Sequence, residues 1–390
     1  MRELTWHGIA FAATAGVSLV TIVALYRSVP ALRRRWFPLP RLRPGTWTGR
    51  EVFIAFSVLF GLPIFILALL LQIGFFTPLI GLPPDAEGPA LGRLVYTYRC
   101  LSISSPFTLT VFLGSLFALM FLVSGSRPHH YGLSWARWPA NLALGLAVFL
   151  VAWPVIMGAH ALAVVVFPPP LDPYSALGKL DLPAWEWLLF GFQMTVAAPV
   201  IEEIVFRGIL QGWLRRATMT GHLALPFAMV YFAAWGFVEY DKDTDQYLYH
   251  FGPVVFATVL AIGYGCWLYL LTRHFNLGEA EIQRWRPLPS EPSLAEGDQG
   301  GEARRQRHER DEERLQVWAD ANATLAIFGT AMVFAVSHSS NWPAPLALFP
   351  MGLALSWLSR RTQSLVGPIT FHALFNLTSF IALYGMTTQR

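Results

Sequence analysis

Apolar residues in this chain come in long runs broken by short polar segments. Ten of those runs approach the length of a membrane-crossing helix: 8–26, 52–76, 105–124, 140–166, 185–206, 223–238, 252–272, 325–341, 343–359 and 364–385. A hydrocarbon core about 30 Å thick needs about 20 residues of helix rising 1.5 Å each. The pattern predicts an all-α fold, a polytopic transmembrane helical bundle of about 8–10 spans. The first run follows only Arg2 and Glu3, and seven arginines succeed it within 27–50. That is a stop-transfer arrangement, so 8–26 is read as a span rather than a cleaved leader.

Composition agrees with lipid as the solvent. Apolar residues make up 54% of the chain and charged residues 13%, whereas soluble domains carry about 25% charged residues. The net charge of +4 is small, and the bilayer, not nucleic acid, is the expected partner. Basic residues set the orientation. Placing 27–50 in the cytoplasm and alternating from there makes 125–139, 207–222, 273–324 and 360–363 cytoplasmic as well. Those five segments hold 22 of the 28 lysines and arginines, while an opposite loop carries Glu239, Asp241, Asp243 and Asp245. The expectation is an integral membrane protein of a bacterial inner membrane, with basic loops cytoplasmic and both termini outside. Segment 278–316 is rich in Pro, Gly, Glu and Arg and reads as a solvated loop. Cys100 and Cys266 have no CxxC spacing, so neither a disulfide framework nor a thiolate metal site is expected.

Ionisable residues inside spans mark candidate chemistry, because lipid makes them costly. The run Val200-Ile201-Glu202-Glu203-Ile204-Val205-Phe206-Arg207 places two carboxylates about 27 Å along a helix that begins at Ala184. Glu203 and Arg207, four apart, share a face and can pair. Glu202, rotated about 100° away, is left in a different environment and free to act as a base. His338 follows Phe334 by one turn, so the phenyl ring can cover the imidazole. In the last span His372 and Asn376 share a face and can present two donors to one point.

Together these residues spell EExxxR, FxxxH and HxxxN, in order, on membrane helices. In this the chain resembles the CPBP family of intramembrane proteases, which includes the CAAX-processing endopeptidases, over roughly residues 140–385. The resemblance implies a glutamate-dependent intramembrane endopeptidase acting on a membrane protein or lipidated peptide. It implies Glu202 as the base that activates a water, assisted by His338, with His372 and Asn376 stabilising the oxyanion and Glu203, Arg207 and Phe334 in support. No cofactor is implied. A zinc site of Glu202, His338 and His372 is the metal alternative, but HExxH spacing is absent. A non-catalytic scaffold or immunity-type protein of the same fold and a proton-coupled transporter are further alternatives; no internal repeat supports the last.

The expected organisation is an N-terminal membrane extension of three spans, 1–138, and a protease core, 139–385, interrupted by an insertion at about 217–322. In the family the first two motifs follow each other closely, whereas here 136 positions separate Glu202 from His338. The insertion contributes two spans and so preserves sidedness. Segments 325–341 and 343–359 are short for crossing. A tilted or re-entrant hairpin turning at Asn341-Trp342-Pro343 would bring His338 towards Glu202.

Overall fold

Thr48 and Glu51 show how the helices begin. Glu51 Oε2 accepts from the Thr48 backbone N–H and hydroxyl, each at 2.7 Å, a capping box that satisfies N-terminal groups otherwise orphaned in a helix. The computed structural model describes residues 47–84, 90–167, 182–217, 219–235, 237–241, 246–249, 251–275 and 322–388. The expected span 8–26 and the charged segment 278–316 lie outside them. The principal helices are α1 (Gly49–Gln72), α2 (Ala90–Ser124), α3 (Trp138–Val166), α4 (Ala184–Leu214) and α5 (Met219–Trp235). They continue with α6 (Phe251–Phe275), α7 (Asn322–Val336), α8 (Pro345–Thr362) and α9 (Val366–Thr388).

The protein is an integral membrane protein with an all-α, polytopic architecture. Six of these helices, α1, α2, α3, α4, α6 and α9, are long and apolar enough to cross a membrane. Large apolar side chains such as Phe53, Leu122, Val165 and Phe227 face outward with 74–79% of their surface exposed. Such an apolar exterior is stable only against lipid. One small departure lies between α5 and α6, where the sequence predicted an acidic loop. Strands β1 (Val238–Asp241) and β2 (Gln246–Tyr249) pair there as an antiparallel hairpin, Val238 opposite Tyr249.

Helix α4 is the centre of the bundle: 39% of its most apolar stretch is buried, against 17–28% in the other five. The described part of the N-terminal extension packs directly on it. Phe56 of α1 meets Phe206 edge-on at 5.3 Å, and the Trp47 indole donates to the Ile209 carbonyl at 3.0 Å. Arg99 of α2 clamps Glu186 through two bonds of 2.7 Å. Helices α3 and α9 cross at glycines, where a Cβ on Gly145 would stand 2.6 Å from the Gly367 carbonyl oxygen. Small residues permit this closeness, and in lipid such packing is a principal source of helix association.

Helices α7 and α8 form the antiparallel hairpin that the sequence placed near Asn341-Trp342-Pro343. A Cβ on Gly352 would lie 3.0 Å from the Ala331 Cα, so the two helices nearly touch backbone to backbone. Trp342 in the turn packs against Phe167, just past the end of α3, at 5.2 Å, and against Phe256 near the start of α6 at 6.3 Å. The turn therefore sits at the ends of α3 and α6 remote from the basic loops, not half-way into the bundle. At the opposite end the segments around 127–137, 215–217 and 359–365 converge. There Leu365 N–H donates to the Gly132 carbonyl at 2.9 Å and Arg215 donates to Gln363 at 3.4 Å.

Candidate active site

The motif helix is not a regular α-helix. Residues Gln193–Ala197 and Glu203–Leu210 run as wider π-helical turns, which interrupt the usual bonding ladder and are frequent at functional sites. Pro199 accounts for the first. In that register the Ala198 N–H reaches the Gln193 carbonyl, and the next donor, for Met194, would be residue 199, which as proline has no N–H. Asn376 of α9 takes its place, its Nδ2 donating to the Met194 carbonyl at 2.8 Å. That bond uses one of the two amide hydrogens and fixes the amide plane.

One turn earlier on α9, His372 enters the same region, only 3% exposed. Its Nδ1 lies 2.8 Å from Glu203 Oε1, and the same oxygen accepts from Arg207 Nη1 at 2.9 Å. Glu203 and Arg207 have fully buried side chains, so each charge depends on the other for compensation. An ionised carboxylate only accepts, so Nδ1 carries a hydrogen and Nε2 is the ring's working nitrogen. Nε2 faces Glu202 Oε2 at 3.9 Å, beyond direct hydrogen-bond length. Glu202 keeps 20% of its side-chain surface exposed, so the two adjacent glutamates sit in unlike environments. Glu203 is locked in an ion pair; Glu202 is accessible.

Phe334 of α7 touches Arg207, His372 and His338. Arg207 lies over its ring at 4.2 Å, a cation–π contact. The His372 and His338 rings meet it edge-on at 5.8 and 5.0 Å. His338 Nδ1 stands 2.8 Å from the Phe334 carbonyl, which orients the ring and leaves Nε2 as an acceptor when the imidazole is neutral. The structure thus gathers Glu202, Glu203, Arg207 and His372 by direct contact. His338 joins them through Phe334, while Asn376 is held by the backbone of α4. Among the described residues no three His, Cys, Asp or Glu side chains stand close enough to hold a metal ion.

Two buried polar assemblies had no clear signal in the sequence. His222 of α5 is fully buried, its Nδ1 2.6 Å from the Tyr264 hydroxyl and its Nε2 2.6 Å from Asn322 Oδ1. Asn322 also donates to the Arg215 carbonyl at 3.2 Å, so this network ties α5 and α6 to the start of α7 and the end of α4. It lies apart from the Glu202 group. The second assembly is Arg99–Glu186, continued by the Ser102 hydroxyl donating to Gln193 Oε1 at 2.7 Å. Its members pair α2 with α4 across 87 to 91 positions of sequence.

The model of the family described as type II CAAX prenyl endopeptidase Rce1-like matches residues 184–277 and 312–378. The first block contains Glu202, Glu203 and Arg207, and the second contains Phe334, His338, His372 and Asn376. The break between them falls in the charged segment 278–316. This is the same family grouping to which the three motifs pointed. No curated protein and no solved structure matches the chain.

Proposed function

Because the region that holds the site belongs to the Rce1-like CAAX endopeptidase family, a family of membrane proteases, we propose that this protein is a glutamate-dependent intramembrane endopeptidase. It hydrolyses a peptide bond of a membrane-associated, lipidated peptide. The observation that carries the reading is the shared Glu203 oxygen. By holding both Arg207 and His372 Nδ1, it aims His372 Nε2 at the accessible Glu202.

In the proposed reaction a water between Glu202 and the scissile carbonyl gives a proton to the Glu202 carboxylate as its oxygen bonds to the carbonyl carbon. His338 Nε2 orients that water by accepting its second hydrogen. The oxyanion that forms takes hydrogen bonds from protonated His372 Nε2 and from the second amide hydrogen of Asn376. Collapse of the tetrahedral intermediate breaks the C–N bond, and the proton on Glu202 passes to the departing amine. Basic loops face the cytoplasm in this reading, where a newly lipidated substrate would arrive.

The test is cleavage by full-length protein in lipid nanodiscs, with a prenylated CAAX-type peptide and its unprenylated counterpart. Cleavage of the prenylated peptide, reduced about 10²–10⁴-fold in Glu202→Gln, is the expected result. Folded protein that cleaves neither peptide would favour the scaffold reading. Activity lost in chelator and restored by zinc would replace the glutamate mechanism with a metal-dependent one.

A further inference from the structure

At the end of the bundle where the basic loops meet, a small cleft of about 50 Å³ opens. His129, Arg207, Gly212, Arg215, Arg216 and Gln363 are among its walls, and among the described residues no carboxylate lines it. Arg207 reaches it from one side while pairing with Glu203 on the other. Arg215 and Arg216, with no carboxylate of their own there, repel each other unless an anion joins them.

The hydrogen-bonding state of these groups points the same way. Arg207 is only 3% exposed, yet among the described residues its Nε and Nη2 have no hydrogen-bond partner. Arg215 Nε and Arg216 Nη2 are likewise buried without one. Buried donors are normally satisfied, and four left over on three arginines are an unusual cost. The remaining contacts of Arg215 and Arg216 hold them in place without neutralising them. Arg216 lies over the Trp47 ring at 4.4 Å and donates to the Gly212 carbonyl at 3.0 Å, while Arg215 donates to Gln363 Oε1 at 3.4 Å. Burial pushes Arg215 and Arg216 down to about 10, and nearby Arg360 contributes for Arg215. Both still remain charged near neutral pH.

We propose that this cleft is a binding site for a phosphate oxyanion, with Arg207, Arg215 and Arg216 as its donors. Guanidinium forks match phosphate oxygens in geometry and charge. The cleft lies where membrane-crossing helices end, so the phosphate of an anionic phospholipid headgroup and inorganic phosphate are its two sources.

Native mass spectrometry of the full-length protein, incubated with phosphatidylglycerol, phosphatidylcholine or inorganic phosphate, separates the outcomes. Retention of phosphatidylglycerol about tenfold above phosphatidylcholine, undisturbed by inorganic phosphate, identifies a lipid headgroup site. Uptake of inorganic phosphate, or displacement of phosphatidylglycerol by it, identifies a soluble anion. The Arg215→Gln/Arg216→Gln pair removes two donors. Gln363→Glu, nearly isosteric, sets a carboxylate beside Arg215 and guards against a folding defect in the pair. Each is expected to lower occupancy about tenfold, while Arg273→Gln at the end of α6 leaves it unchanged. Equal retention of the two lipids with no phosphate uptake, or wild-type occupancy in folded Gln363→Glu, overturns the proposal.

Discussion

His372 Nδ1 and Glu203 Oε1 lie 2.8 Å apart although 169 positions separate them in the chain. This one bond joins α9 to α4 and decides which imidazole nitrogen faces Glu202. Arg207, bonded to the same oxygen at 2.9 Å, holds the Glu203 carboxylate in place. The pair of glutamates therefore divides into one buried in an ion pair and one partly exposed, and the two are separable by mutation.

Glu203→Gln keeps the volume but removes the charge that Arg207 requires. Breaking a buried pair from one side costs about 3–5 kcal/mol, so the thermal midpoint in detergent should fall markedly. The amide can also present an N–H to His372 Nδ1, which would turn the tautomer over and reduce cleavage as well. An unchanged midpoint would mean that Glu203 is not the structural carboxylate.

Glu202→Gln should behave in the opposite way. Its side chain is 20% exposed and its Oε2 stands 3.9 Å from His372 Nε2, too far for a direct hydrogen bond, so little stability depends on it. The midpoint should stay near that of wild type while peptide cleavage falls about 10²–10⁴-fold. Full activity in this variant would remove Glu202 from the reaction.

The α3–α9 crossing offers a test within one helix. Gly145→Ala sets a Cβ 2.6 Å from a backbone oxygen of Gly367. Backbone cannot move aside cheaply, so a loss of about 1–3 kcal/mol is expected. Gly158→Ala, also in α3 but with nothing within 4 Å of its Cβ, should be neutral or gain up to about 1 kcal/mol from helix propensity. Comparison of their unfolding midpoints checks the crossing.

Tyr264→Phe removes the hydroxyl 2.6 Å from His222 Nδ1 and leaves the fully buried ring in place. A buried imidazole nitrogen without its partner costs about 1–3 kcal/mol. The variant should unfold earlier and retain cleavage, because this network stands apart from the Glu202 group. A large loss of activity at unchanged stability would instead link α5 and α6 to catalysis.

Orientation is tested by cysteine labelling after replacement of Cys100 and Cys266 by alanine. Pro44→Cys and Gly300→Cys should both react from the cytoplasmic face. Labelling from opposite faces would overturn the expected topology.

The sequence by itself determined that the chain is a membrane helix bundle and where most of its helices run. Transfer into lipid is nearly a sum over residues, so long apolar runs report it directly. It also determined the Glu203–Arg207 pairing, because residues four apart on a helix are neighbours whatever surrounds them. Only the tertiary structure decided that His372 bonds Glu203, that Asn376 covers the Met194 carbonyl left without a donor by Pro199, and that His222 joins Tyr264 and Asn322. The same is true of the arginine cleft, whose members come from α4 and two distant loops. Such contacts depend on which helix faces meet and at what height. Hydrophobic association between helices is weak in lipid, so close packing and polar fit set that register, and neither leaves a periodic mark on the chain.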